Sequence, residues 1–400
     1  MKQALILSAL LSTLLPAALN AQLYWDTNGA TPGAGNPADG IWDTDTTPFW
    51  TTDSSGSIAT VDYTTGGSTN VIFSAGADAA AANITVSSTQ LISSLTVKNG
   101  NVIFSGSTLD DTGTTVDVVV DSGASATMNN TGSFNGNFNV NGTLLVNAIT
   151  AGGPMTKTGT GTMTANRLDA VLTVNEGTLI YTGSVSAKLK NTTVNSGGTL
   201  RLTGNAFDGT KRSLAVNTGG RVEFGSGLTQ TISLFTGGGT VSGEANSMLR
   251  VGGDNKTTTF SGAIVDQLNI ASIGSGAFTL DDTSSMEFTI GANGVNNSIT
   301  GDGVNDTTTN LEGEFIFNLT GADLTDGNTW LIVDVNNLNE NITETFNVNG
   351  FTELSNIWTN GSGFAFSETT GILSYTSVPE ASTYALILGI AAFGLIVRRK

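Results

Sequence analysis

The chain has 400 residues, 51 of them glycine, and contains neither cysteine nor histidine. Disulfides, thiolate metal sites, a cysteine nucleophile, a Ser-His-Asp triad and histidine-ligated zinc are thereby excluded. The formal charge is −18 although only 12% of residues are charged, so the surface repels nucleic acid and anionic lipid and is otherwise left to Thr, Asn, Ser and Gly.

Lys2 opens a positive n-region, Ala4 to Leu15 is an apolar h-region, and Pro16 to Ala21 is a small-residue segment. This order predicts a secretory signal peptide over residues 1–21, cleaved after Ala21 by the export machinery, rather than a membrane span. Leu19, at the minus-three position, is larger than usual there. Residues 22–70 hold an aromatic cluster: Tyr24-Trp25-Asp26, Ile41-Trp42-Asp43 and Phe49-Trp50, separated by Gly, Pro and Asn turns. The Trp-Asp pairs do not make WD40 repeats, because their spacing is far too short and the Gly-His element of such repeats is impossible here. These rings predict an N-terminal cap over the first open edge of a solenoid. The competing reading is a sugar-stacking platform built on Trp25, Trp42 and Trp50.

From Val71 the chain breaks into strand-like bursts such as Val71-Ile72-Phe73, Ser94-Leu95-Thr96-Val97 and Val116-Asp117-Val118-Val119-Val120. Apolar and polar residues alternate over four to six positions, and Gly, Asn and Asp separate the bursts. A cassette then recurs at Val140-Asn141-Gly142-Thr143-Leu144, Val174-Asn175-Glu176-Gly177-Thr178-Leu179, Val194-Asn195-Ser196-Gly197-Gly198-Thr199-Leu200 and Val216-Asn217-Thr218-Gly219-Gly220-Arg221-Val222. The last three begin about 20 residues apart, the length of one coil of a parallel β-helix. Val, Leu and Ile are expected inside the tube. Thr, Ser and Asn are expected outside or stacked in ladders. The all-β solenoid is expected over residues 71–310. Residues 311–377, with alternating Phe315/Phe317 and Phe364/Phe366 and the apolar Trp330-Leu331-Ile332-Val333, predict a C-terminal β cap or antiparallel sheet.

The segment Lys157-Thr158-Gly159-Thr160-Gly161-Thr162-Met163, followed by Val174-Asn175-Glu176-Gly177-Thr178-Leu179, resembles the autotransporter-associated β-strand repeat, with Met163 where that repeat has Leu. The resemblance implies a right-handed parallel β-helix. It covers one good repeat and several degenerate ones, and no translocation barrel is expected to follow.

Residues 378–400 are organised differently. Val378-Pro379-Glu380 precedes Ser382-Thr383-Tyr384-Ala385-Leu386, an apolar run to Val397, and the basic Arg398, Arg399 and Lys400. The run sits at the lower edge of the roughly 17–25 residues that span a bilayer, and the basic end is expected to stay cytoplasmic. This order resembles the PEP-CTERM sorting signal of Gram-negative bacteria, with Ala381 where a second proline is usual. The resemblance implies a transmembrane sorting helix and removal of the tail by an exosortase. It also implies transient residence in the inner membrane and a cell-surface or extracellular destination among exopolysaccharide.

No motif for chemistry emerges. The Gly-x4-Gly-Lys-Ser/Thr phosphate loop is absent, and Gly252-Gly253-Asp254 lacks the rest of a calcium nonapeptide. Asp110-Asp111, Asp281-Asp282 and Asp302 with Asp306 could hold a divalent cation, but Asp in Gly/Asn loops forms turns. Lys157, Arg167, Arg201, Arg212, Arg221 and Arg250 read as scattered, solvated basics. A carboxylate pair for glycosidic cleavage would need charges gathered in one groove, whereas dispersed charges suit a structural role. The sequence therefore predicts a non-enzymatic surface or matrix protein without cofactor or catalytic residues. Exopolysaccharide and divalent cations are possible partners. The alternatives are a carbohydrate-binding adhesin and a β-helix polysaccharide lyase or hydrolase.

Overall fold

A computed structural model describes residues 21–378, apart from 65–68, 112, 114, 151–152, 184–188, 208, 210, 302–307, 337 and 339–341. The described residues form a parallel β-solenoid. One face is an eleven-stranded sheet and the other a sixteen-stranded sheet, and successive coils add a strand to each in turn. The repeat can be followed from Pro154–Thr158 on the first face to Thr162–Leu168 on the second, then Val171–Val174 back on the first and Gly177–Tyr181 on the second. A third face opens further along, where Thr229–Thr231, Met248–Val251 and Asn269–Ser272 pair in parallel.

The cassette period is the coil period. Val174 pairs with Val194 and Val194 with Val216, while Leu179 pairs with Leu200 and Leu200 with Val222. Strand alternation sends every second side chain inward. Leu144, Met163, Leu179, Leu200, Val222 and Val241 consequently stand in one register column, and all are fully buried. Burying each such side chain is worth about 1.5–3 kcal/mol, but only a neighbouring coil supplies the burial. Outside, Asn195 Nδ2 donates to Asn175 Oδ1 at 2.7 Å and Asn217 Nδ2 to Asn195 Oδ1 at 2.6 Å. The expected asparagine ladder thus occupies the turns after Val174, Val194 and Val216, where it satisfies amides that an isolated coil would leave to water.

Two turn glycines, Gly161 and Gly177, are required by how closely successive turns approach. A Cβ on Gly161 would lie 2.1 Å from the Gly142 carbonyl oxygen, and Gly177 adopts φ +65° where a Cβ would lie 2.4 and 2.6 Å from the carbonyl oxygens of Gly159 and Gly161. Only glycine combines that φ with that proximity.

Parallel pairing extends into both flanking segments. Ala21–Trp25 pairs in parallel with Thr69–Phe73, and Glu314–Asn318 with Asn347–Val348. At the first edge the two-residue strand Trp50–Thr51 joins Ala21–Trp25 in antiparallel fashion. At the other end Thr329–Leu331, Ile372–Tyr375, Phe364–Ser367, Ile357–Thr359 and Thr352–Leu354 form a five-stranded antiparallel sheet in that order. Its buried Phe366 lies 5.9 Å from Phe315 and 5.6 Å from Phe317, ring centre to ring centre, so its apolar side packs on the last coils. Among the described residues no helix is long and apolar enough to cross a membrane. The predicted sorting helix lies outside the described residues, as does the signal segment before Ala21.

Candidate functional site

The N-terminal rings are buried rather than displayed. Trp25, Trp42, Tyr63 and Phe73 are 0% exposed and Trp50 is 1% exposed. Trp50 sits at their centre, 5.2 Å from Trp25 with planes at 83° and 5.1 Å from Trp42 at 61°. These are edge-to-face contacts of a core, not coplanar faces open to a sugar. The stacking platform is therefore corrected: Trp25, Trp42 and Trp50 have no face to offer a ligand. The Trp25 indole N–H donates to the Ala38 carbonyl at 2.8 Å. Beside it Asp26 is also buried, and burial pushes its carboxyl above the usual range against the amides of Asn28 and Gly29.

The acidic pairs are turn formers. The Asp111 carboxylate accepts the Gly113 amide at 2.7 Å. For Asp281, burial raises the carboxyl, but the hydroxyls of Ser261 and Thr283 with the amides of Thr283 and Ser284 outweigh it and hold the group below its ordinary value. Asp302 and Asp306 lie outside the described residues. Among the described residues no group of three or more acidic side chains is disposed to hold a metal ion.

Lys157 is not a solvated basic residue. It lies 1% exposed inside the tube, in register between Phe138 and Val174. Its Nζ donates to the carbonyls of Thr158 at 2.9 Å, Gly159 at 2.6 Å and Glu176 at 2.9 Å. Glu176 Oε2 in turn accepts the Gly159 amide at 3.2 Å. Burial pushes the amine down to about 8, with the Glu176 carboxylate pulling the other way. The Lys-Thr-Gly turn of one coil is thereby tied to the Glu-Gly turn of the next. The signal was present in the sequence: Met155 and Lys157 alternate on one side of a strand, so a lysine there points where methionine points.

Two other basics called scattered are brought together. Arg201, Arg221, Glu223, Ser242, Glu244 and Asp266 line an open groove of about 420 Å³ on the outside of the second face. Arg201, Glu223 and Ser242 are successive register partners on three coils. Arg201 Nη2 reaches past the intervening coil to Glu244 Oε1 at 3.1 Å. Arg221 Nε donates to Glu223 Oε1 at 2.7 Å and its Nη2 to Ser242 Oγ at 3.3 Å. Both arginine side chains remain 44% exposed. Arg201 and Glu223 stand one cassette period apart, so the period alone aligned them; the reach to Glu244 was not legible.

Of the sorting motif, Val378 is the last described residue and is exposed. Pro379, Glu380, Arg398, Arg399 and Lys400 lie outside the described residues. Just before it, the Ser377 amide and hydroxyl donate to Asp326 Oδ1 at 2.7 and 3.1 Å, which ties the exit of the chain to a surface turn. Ala21, the predicted cleavage position, is the first residue of the first strand and pairs with Thr69. No family model, curated protein or solved structure matches this chain.

Proposed function

We propose that this chain is an exported, non-enzymatic structural protein of the cell surface or extracellular matrix, processed at its C-terminus by an exosortase. The observation that supports this best is the division of labour across the wall. Inside runs the apolar column from Leu144 to Val241; outside, asparagine side chains hydrogen-bond from coil to coil on a face in which Thr, Ser and Asn outnumber charges. Such a body is rigid along its axis and presents a repeating polar face, which suits contact with exopolysaccharide and with divalent cations. In this reading the solenoid winds right-handed, the tryptophan cluster and the antiparallel sheet cap its two ends, and residues 378–400 hold the precursor in the inner membrane until cleavage.

A second reading, carbohydrate binding at a defined site, is favoured by one feature, the charged groove at Arg201 and Arg221. Its arginines are tied to glutamates, which suits holding a ligand more than reacting with one.

Fractionation of the native host tests the main reading. The chain is expected in the surface wash and culture medium, co-purifying with polysaccharide. Recovery only from the cytosolic fraction would overturn it.

A further inference from the structure

We propose that the groove at Arg201, Arg221, Glu223, Glu244 and Asp266 binds a neutral polysaccharide through its vicinal diols, with the glycan chain lying along the solenoid axis. The inference rests on reading the chain as a polysaccharide-associated surface protein, and it names the site and the ligand class.

The chemistry of the lining narrows the ligand. Two guanidinium groups and three carboxylates leave the groove with a small negative balance, which disfavours phosphate, nucleic acid and polyuronate. The buried Phe224 contributes wall but no open ring face, so an apolar ligand has no anchor. What remains is a dense set of planar donors and acceptors. An arginine carries five N–H donors in a fixed fork. Arg201 uses Nη2 on Glu244, and Arg221 uses Nε and Nη2 on Glu223 and Ser242. Each ion pair fixes the fork, leaves further N–H groups for a ligand, and sets them beside carboxylate lone pairs. A vicinal diol can donate through one hydroxyl while accepting through the other, which is the complement of such an Arg–carboxylate pair.

The spacing supplies direction. Arg201, Glu223, Ser242 and Val265 belong to consecutive coils, and neighbouring strands lie about 4.7–4.9 Å apart. One pyranose ring has a similar length, so a glycan running along the axis meets a fresh coil with each residue. A groove of this volume falls within the roughly 300–1,000 Å³ of ordinary ligand sites. Pre-set ion pairs lower the ordering cost of binding, because the side chains are already held.

The test is affinity electrophoresis of the full chain in mild detergent, in native gels containing dextran, polygalacturonate or no polysaccharide. Wild type is expected to be retarded by dextran, and Arg221→Gln to run at least tenfold closer to its mobility without polysaccharide, with an unchanged thermal midpoint. If Arg221→Gln shifts that midpoint, Arg221→Lys keeps the charge and loses the fork, and it too is expected to lose retardation. Equal retardation of wild type and variant, no retardation by dextran, or stronger retardation by polygalacturonate each overturns the proposal. These outcomes are separable from failure of the surface reading, which is decided by where the native chain is found and not by what the purified chain binds.

Discussion

Replacing Trp50 with alanine is expected to lower the unfolding free energy by about 3–5 kcal/mol. The reason is position. Trp50 touches four other buried rings: Trp25, Trp42, Tyr63 at 5.3 Å and Phe73 at 5.5 Å. Its backbone also exchanges hydrogen bonds with Val61, at 3.1 and 2.6 Å, so the edge strand and the loop behind it are organised around one residue. The ring sits at the edge strand of the first face, where among the described residues no further coil stacks to close the cavity it would leave. Urea unfolding of wild type and Trp50→Ala measures the loss directly, from the midpoint shift at constant slope. Retardation by dextran is expected to survive the substitution under native conditions, because the groove lies many coils away. A change below 1 kcal/mol would mean that the cluster is not a core.

Stability is expected to rise with pH between about 8 and 10, by about 2 kcal/mol, and then to turn over. Lys157 drives the rise. Its amine is held down to about 8 in the folded chain by burial and recovers its ordinary value when unfolded. Between those values the unfolded chain binds a proton that the folded chain does not, so raising the pH favours the fold. Below pH 8 both states carry the proton, and the cost of holding an ammonium inside the tube is felt in full. Above pH 10 the tyrosines take over with the opposite sign. Burial raises Tyr63 to about 12 and raises Tyr181 as well, so the unfolded chain loses those protons first and the fold weakens. Lys157→Met is expected to flatten the rise and keep the turnover. Parallel curves for the two proteins would show that Lys157 titrates normally and that its three carbonyl contacts do not describe its surroundings.

The coil was legible because its determinants are local. A β-branched residue, Asn and Gly at a fixed period set strand, turn and register together, and Val174, Val194 and Val216 stack as their spacing required. The ladder of Asn175, Asn195 and Asn217 followed from the same arithmetic. Legibility ended where a residue type and its position disagree. Lysine signals a surface, but Lys157 occupies an inward position, and strand alternation outweighs type because three carbonyls were available to receive the ammonium. Tryptophan is ambiguous between core and platform; the choice fell to Trp42 and Trp50 meeting Phe73 from a distant strand, a long-range packing event with no local mark. The groove combines the two cases. The period places Arg201 beside Glu223, whereas the bridge to Glu244 depends on how far one side chain reaches across a coil.

The fate of residues 378–400 is tested most directly by the intact mass of the protein recovered from the native host's surface and medium. The expected mass is that of a chain beginning near Gln22 and ending near Pro379-Glu380, without the apolar run and the basic cluster. A mass that retains Arg398, Arg399 and Lys400 would contradict processing by an exosortase and leave the solenoid as a membrane-tethered protein.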